Sequence, residues 1–102
     1  MREIILLITT ESEEKKAIDI AKLLIERNLA ACVSLKNIIS FYKWENEIEE
    51  TREVEIIIKS KPELKDDLIV FLKEKSSYDV PQIIFKKFES EKKYYEWVTK
   101  SF

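Results

Sequence analysis

The chain has 102 residues with 18 Lys or Arg, 20 Asp or Glu, one Cys and neither His nor Gly, and its formal net charge is −2. This length predicts a single domain over residues 1–102, and no apolar run approaches the ~20 residues that cross a bilayer. The composition excludes a Ser-His-Asp triad, a His-ligated metal site and a Gly-rich phosphate loop, and the dispersed Lys and Arg disfavour nucleic-acid binding.

The first two predicted elements are a buried strand and an amphipathic helix. Ile4–Ile8 form a short continuous apolar run, which is typical of a strand buried on both faces. Thr10 and Glu13 have the spacing of a capping box, and apolar residues then recur at helical spacing. Asn28 can adopt a left-handed conformation in a chain without Gly, so we predict a helix over residues 12–28.

A long β-hairpin over residues 31–60 follows the first helix. Alternating apolar and polar residues predict a first strand that is interrupted at Lys36–Asn37 and resumes as far as Trp44. The short polar segment Glu45–Glu47 includes an Asn that tolerates positive φ, which predicts a tight turn. The second strand begins with the polar segment Glu49–Glu53, so the outer half of the hairpin is expected to extend beyond the sheet.

Three large aromatic side chains lie in this outer half, namely Phe41, Tyr42 and Trp44. A monomer offers little core to cover them, and a soluble monomer rarely leaves a contiguous apolar patch in water. One alternative is that the hairpin folds back over its own sheet. We favour docking on a neighbouring subunit, which predicts an obligate homo-oligomer.

The last third of the chain contains a helix, a strand and a second, shorter helix. Ser60–Pro62 is predicted to open the first of these helices, because Pro in the first turn loses no hydrogen bond. Residues 76–81 form a loop in which Pro81 fixes the entry into a strand at Ile83–Phe88. Ser90 is predicted to cap a final helix.

The resulting order is β-α-β-β-α-β followed by a C-terminal helix. Two βαβ-type units that share an antiparallel sheet predict an α+β, ferredoxin-like sandwich with a long hairpin between its second and third strands. Enzymes, sensors and metal carriers all use such sheets, so this fold leaves the function open.

Four short motifs occur in a specific order and spacing: Ala30-Ala31-Cys32-Val33, Tyr42-x-Trp44, Ile58-Lys59-Ser60 and Tyr78-Asp79-Val80-Pro81. Together with Thr9-Thr10 they resemble the CutA family of divalent-cation tolerance proteins over nearly the whole chain. The resemblance implies a ferredoxin-like protomer, a homotrimer built by the long hairpins, a cytoplasmic setting and similarity to PII-type signalling trimers. It also implies a role in metal-ion tolerance, with copper binding in some members and no settled enzymatic activity.

Two positions depart from the pattern of the family. Ser76 and Ser77 stand where the family often has His-Pro, which removes an imidazole that could bind copper or zinc. Asn46 stands where the family usually has Gly in the turn after the Trp, a mild change because Asn tolerates left-handed geometry.

Five residues are candidates for a ligand cleft between subunits. Tyr42, Trp44 and Tyr78 could stack on a ligand or pack between subunits, Lys59 could hold an anionic ligand, and Asp79 could contact a ligand or cap its loop. Because Pro81 places Tyr78 and Asp79 at a strand end, we predict that Tyr78 lines an inter-subunit cleft and that its hydroxyl has a polar partner there.

Cys32 is the one candidate metal ligand. A thiolate suits Cu(I) or Zn, but a lone Cys on a strand is also often a small buried apolar residue. One thiolate cannot hold a metal alone, so a site would need Cys32 from another subunit, Met1 or nearby carboxylates. Any bound copper or divalent ion is therefore expected to be weakly held.

The favoured function is that of a non-enzymatic homotrimer in divalent-cation, and specifically copper, tolerance. A PII-like trimer that senses a small ligand in the inter-subunit cleft is the alternative, based on Lys59, Tyr78 and Asp79. An enzyme such as a small hydrolase is the weakest interpretation, because His and Gly are absent. The expected partners are further copies of the chain and a metal ion or small ligand, without nucleic acid or membrane. The single Cys fits a cytoplasmic location.

Overall fold

The computed structural model describes residues 2–102 and contains four strands and three α-helices in that part of the chain. In chain order these are β1 (Glu3–Glu11), α1 (Glu14–Glu26), β2 (Cys32–Trp44), β3 (Glu47–Ser60), α2 (Lys65–Lys75), β4 (Ile84–Glu89) and α3 (Lys92–Lys100). The strands form one antiparallel sheet in the order β2-β3-β1-β4. The predicted α+β fold, with its long hairpin and C-terminal helix, is therefore confirmed.

The core lies between one face of the sheet and the helices α1 and α2. Alternate residues of the two central strands are fully buried there, with Leu7 of β1 paired to Ile58 of β3 and Leu24 of α1 packed in the same cluster. On the other face of β1, Leu6 and Ile8 are only half-buried. The prediction that β1 is buried on both faces is therefore only partly right, because the second face has incomplete cover.

The start of α1 differs from the prediction. Thr10 lies inside β1, where it pairs with Glu55, so it cannot form the predicted capping box with Glu13. Glu13 itself is the N-terminal cap residue, and α1 begins at Glu14. The strand pairing of Thr10 outweighs a local capping preference. At the other end, Asn28 has a φ of 57°, which confirms the predicted left-handed stop.

The hairpin spans nearly the predicted residues, but its pairing is more regular than the sequence indicated. Pairing is continuous from Cys32 opposite Lys59 to Trp44 opposite Glu47, so the predicted interruption at Lys36–Asn37 is wrong. Polar residues there face solvent on a strand at the sheet edge and do not break the ladder. The turn consists of Glu45 and Asn46, with φ values of 50° and 67°, which is the type I′ geometry that suits a two-residue hairpin.

The outer half of the hairpin extends beyond the rest of the sheet. Pairing between β1 and β3 ends at Glu11 opposite Val54, so the part of β3 before Val54 pairs with β2 alone. Phe41 is 65 % exposed and Trp44 63 % exposed in this ribbon. The alternative in which the hairpin folds back over its own sheet is therefore wrong.

The last two helices, α2 and α3, do not begin with the residues predicted to cap or open them. Ser60 is the buried last residue of β3, and its hydroxyl donates a hydrogen bond to the Leu29 carbonyl oxygen at 2.7 Å, while a 3₁₀ turn at Pro62–Leu64 leads into α2. The carboxylate of Glu91, rather than Ser90, caps α3 by accepting hydrogen bonds from backbone N–H groups. α3 then packs on the face of the sheet opposite α1 and α2, where the Lys59 ammonium lies 6.0 Å from the centre of the Tyr94 ring.

Candidate functional site

A groove of about 590 Å³ lies where the loop 76–83 meets the outer half of the hairpin. Strand alternation explains its hairpin wall, because Tyr42 pairs directly with Glu49 and therefore points to the same side of the ribbon. Trp44 and Glu53 follow at even spacing on that side, which is the face opposite α1 and α2. The loop supplies Tyr78 and Asp79 as the other wall.

A hydrogen bond joins the two walls of the groove. The Tyr78 hydroxyl donates to Glu53 Oε2 at 2.7 Å, and the backbone N–H of Tyr78 donates to the Ser76 hydroxyl oxygen at 3.1 Å. The adjacent Ser77 N–H donates to Oε2 of Glu11 at 3.3 Å, and Glu11 is only 1 % exposed at the end of β1. These contacts hold the loop against the sheet and give Tyr78 a defined position in the groove.

The ionisation of Glu53 and Tyr78 follows from this arrangement. Burial raises the pKa of Glu53, but hydrogen bonds from Ser40, Tyr78 and Thr10 outweigh it and lower the pKa below its ordinary value. Burial, the hydrogen bond to Glu53 and the nearby carboxylate charges raise the pKa of Tyr78 well above its ordinary value. At neutral pH the groove therefore holds a carboxylate at Glu53 and a neutral phenol at Tyr78.

We expect the substitution Tyr78→Phe to raise the pKa of Glu53 toward the ordinary value of 4.5, because it removes one of the donors that stabilise the carboxylate. A lowered pKa in the folded state stabilises the fold above pH 4.5, and this contribution is lost as the pH falls through the lowered value. As the pH falls below 4.5, the free energy of unfolding should therefore decrease less for Tyr78→Phe than for the parent. Carboxyl NMR titration measures the pKa directly.

Tyr42→Phe is the matched control for this prediction. The Tyr42 hydroxyl lies 3.0 Å from the Thr51 hydroxyl, and its removal leaves the donor from Tyr78 to Glu53 in place. An equal rise of the Glu53 pKa in both variants would contradict the assigned role of Tyr78.

The structure brings together four of the candidate residues named from the sequence. Tyr42, Trp44, Tyr78 and Asp79 all line the groove. Lys59 does not, because it lies near the far end of β3 beside Tyr94. The hydroxyl of Tyr78 has a polar partner, and that partner belongs to its own chain.

Sequence reasoning missed the two acidic groups of the hairpin wall, Glu49 and Glu53. Both were interpreted only as part of a polar stretch, although their two-residue alternation opposite Tyr42 places them on its side of the ribbon. The buried Glu11 was also missed, because a lone acidic residue at the end of an apolar strand gives no sign that its carboxylate will be enclosed.

Metal ligation finds little support within one protomer. In residues 2–102, no three His, Cys, Asp or Glu side chains come close enough to hold a metal ion. Cys32 is a half-buried free thiol whose cross-strand partner is the basic residue Lys59. Within residues 2–102 of one protomer, the surroundings of Cys32 therefore do not fit a metal site, and the other candidate ligand named above, Met1, lies outside the described residues.

Comparison with known proteins identifies the family. The family described as CutA1 divalent ion tolerance protein matches residues 4–101. The chain belongs to the CutA1 family. It is 39 % identical over 80 residues to the divalent-cation tolerance protein CutA of Pyrococcus horikoshii, a match that covers 78 % of each chain.

Solved CutA structures share the fold of this chain. CutA from Synechococcus elongatus superposes with a TM-score of 0.94 at 31 % identity, covering 99 % of this chain and 91 % of the other. The periplasmic divalent cation tolerance protein CutA from Archaeoglobus fulgidus gives 0.91 at 31 % identity, covering 96 % and 97 %. Within residues 2–102 of this CutA-family chain, the helices are too short or too polar to span a membrane.

Proposed function

We propose that this CutA-family chain acts in divalent-cation tolerance, including the response to copper, as a non-enzymatic homotrimer in the cytoplasm. The family supports the role in cation tolerance. The main support for the trimer comes from the outer half of the hairpin. Large apolar side chains on both faces of this ribbon are exposed to water in the protomer. Phe41 and Ile48 (75 % exposed) lie on one face, and Trp44 lies on the other.

The energy of covering these side chains favours assembly. Full burial of a large apolar side chain contributes about 1.5–3 kcal/mol relative to its exposure, and a two-stranded ribbon alone is at best marginally stable in water. Docking of each hairpin on a neighbouring subunit covers the ribbon and stabilises its pairing. Three copies arranged in a closed ring satisfy every hairpin in the same way.

The groove between the hairpin and the loop 76–83 is the ligand cleft of this proposal. It combines Tyr42, Trp44, Tyr78 and Asp79, and its hairpin wall belongs to the segment that would contact a neighbouring subunit. Lys59 is not part of this cleft. The groove does not support a PII-like sensor. Lys59, one of the three residues on which that alternative rests, pairs with Cys32 and does not line the groove.

Cys32 is the proposed contributor to copper binding in the assembled protein. Because residues 2–102 of one protomer hold no complete ligand set, we propose that its thiolate gains further ligands from neighbouring subunits. Such binding is weak compared with that of a preformed site.

A tolerance assay with a matched binding measurement tests this function. Expression of the chain should raise the copper concentration that a bacterial host without its own CutA-family gene withstands. Cys32→Ser should reduce both this gain and the heat of copper binding in a calorimetric titration, because it removes the one thiol of the chain. A wild-type chain that gives no gain contradicts the proposed function. A full gain with Cys32→Ser contradicts only the role of the thiol.

A further inference from the structure

Glu11 is an acidic residue enclosed within the protomer without a basic partner. It is the last residue of β1 and is 1 % exposed. The one ion pair within residues 2–102 joins Lys100 and Glu96, so no basic side chain in that part of the chain pairs with Glu11. Burial of a carboxylate costs free energy unless hydrogen-bond donors replace the lost water. The enclosed carboxylate therefore depends on its donors.

Among the described residues, two backbone N–H groups donate to the Glu11 carboxylate. The N–H of Ser12 donates to Oε1 at 3.4 Å, and the N–H of Ser77 donates to Oε2 at 3.3 Å. Ser12 directly follows Glu11, so its contact orients only the Glu11 side chain. The contact with Ser77 joins residues 66 positions apart and attaches the loop 76–83 to the end of β1.

The attached segment of the loop carries Tyr78. Tyr78 directly follows Ser77, and its own N–H donates to the Ser76 hydroxyl oxygen at 3.1 Å, which turns the chain after α2. From this position the Tyr78 hydroxyl donates to Glu53 Oε2 at 2.7 Å. Hydrogen bonds weaken steeply with misalignment, so a small shift of Ser77 is enough to weaken the contact with Glu53.

We propose that Glu11 is a positioning residue for Tyr78. Its carboxylate holds the N–H of Ser77, and this contact keeps the loop where the Tyr78 hydroxyl donates to Glu53. All of these contacts lie within one protomer, and Glu11 is already enclosed there without help from another subunit. The inference goes beyond the proposed function and requires neither the trimer nor copper binding.

The pKa of Glu53 reports the position of Tyr78. Hydrogen bonds from Ser40, Tyr78 and Thr10 lower this pKa. Removal of the nearby negative charge of Glu11 would by itself lower the pKa of Glu53 further, whereas loss of the Tyr78 donor would raise it. Carboxyl NMR titration of Glu11→Ala should therefore show a rise of the Glu53 pKa toward 4.5. An unchanged or lowered pKa would overturn the proposal.

Glu11→Gln is the matched variant for this titration. It removes the same charge as Glu11→Ala, but its side-chain oxygen can still accept the hydrogen bond from Ser77 N–H. The Glu53 pKa should therefore not rise in Glu11→Gln. An equal rise in both variants would show that the acceptor at position 11 does not position Tyr78, which also overturns the proposal.

Two substitutions of Ser77 test the contact from the donor side. Ser77→Pro removes the N–H, and the preceding Ser76 has φ −63° and ψ 142°, the extended geometry that a residue before Pro adopts. Ser77→Ala keeps the N–H and is the control. The Glu53 pKa should rise in Ser77→Pro and not in Ser77→Ala, so this test does not depend on whether Glu11→Ala folds. The reverse result would contradict the assigned donor.

Thermal unfolding of the double variants tests the coupling of Glu11 to Ser77. At equal protomer concentrations, Glu11→Ala should lower the melting temperature in the parent and in Ser77→Ala, and lower it less in Ser77→Pro, where the contact is already missing. Any strain from the Pro ring is present on both sides of that comparison and cancels. Equal effects of Glu11→Ala in all three backgrounds would overturn the proposal.

Discussion

Replacing Trp44 with Ala should weaken assembly by about 2 kcal/mol or more, which is about a thirtyfold rise in the dissociation constant. Trp44 is the last residue of β2, directly before the turn, and it is 63 % exposed in the protomer. An aromatic side chain of this size that becomes buried between subunits is a typical anchor of an interface. Its truncation removes apolar burial that the ribbon cannot replace.

Light scattering over a dilution series measures this effect. The variant should dissociate at higher protein concentrations than the parent does. Val70→Ala is the control, because Val70 is 58 % exposed on α2, outside the hairpin, and should not alter assembly. Equal dissociation of the Trp44→Ala protein and the parent would remove the hairpin tip from the interface.

Replacing Leu7 with Ala should lower the free energy of unfolding by about 2–5 kcal/mol, the range found for large-to-small changes in close-packed cores. Leu7 is fully buried at the centre of the sheet, where it pairs with Ile58 and with Phe85 of β4. Truncation leaves a cavity among neighbours on both adjacent strands. The strands cannot close this cavity without breaking their register, so the cost should lie well above that of an exposed site.

Denaturant unfolding of the variant and the parent at the same protomer concentration gives this difference in free energy, because the contribution of subunit association to the concentration dependence is then equal for both. Val70→Ala again serves as the control and should change it by less than about 0.5 kcal/mol. A loss below 1 kcal/mol for Leu7→Ala would contradict the position of Leu7 in the core.

The fold could be predicted from the sequence where local signals and tertiary packing agree. Apolar alternation in β3, the left-handed conformation of Asn28 and the Asn46 turn all appear in the structure as expected. The predictions failed for residues that suit either a helix cap or a paired strand. Thr10 and Ser60 are good helix caps in isolation, but both lie inside paired strands, and pairing with distant residues is not visible in a local window.

The candidate site could be predicted only in part. The sequence pointed to Tyr42, Trp44, Tyr78 and Asp79, which share the groove, but it grouped Lys59 with them. Lys59 lies six residues beyond Glu53 on β3, which is about 20 Å along an extended strand. The continuous register of the hairpin sets this separation, and that register was not apparent when an interruption was assumed at Lys36–Asn37.

The molar mass of the wild-type protein in solution is the most direct test of whether the exposed hairpin assembles three copies of the chain. Light scattering coupled to size exclusion at micromolar protein concentration should give a mass close to three times the protomer mass of 12.2 kDa. A stable species at the protomer mass would contradict the account, because the apolar side chains of the hairpin would then remain in water without a partner.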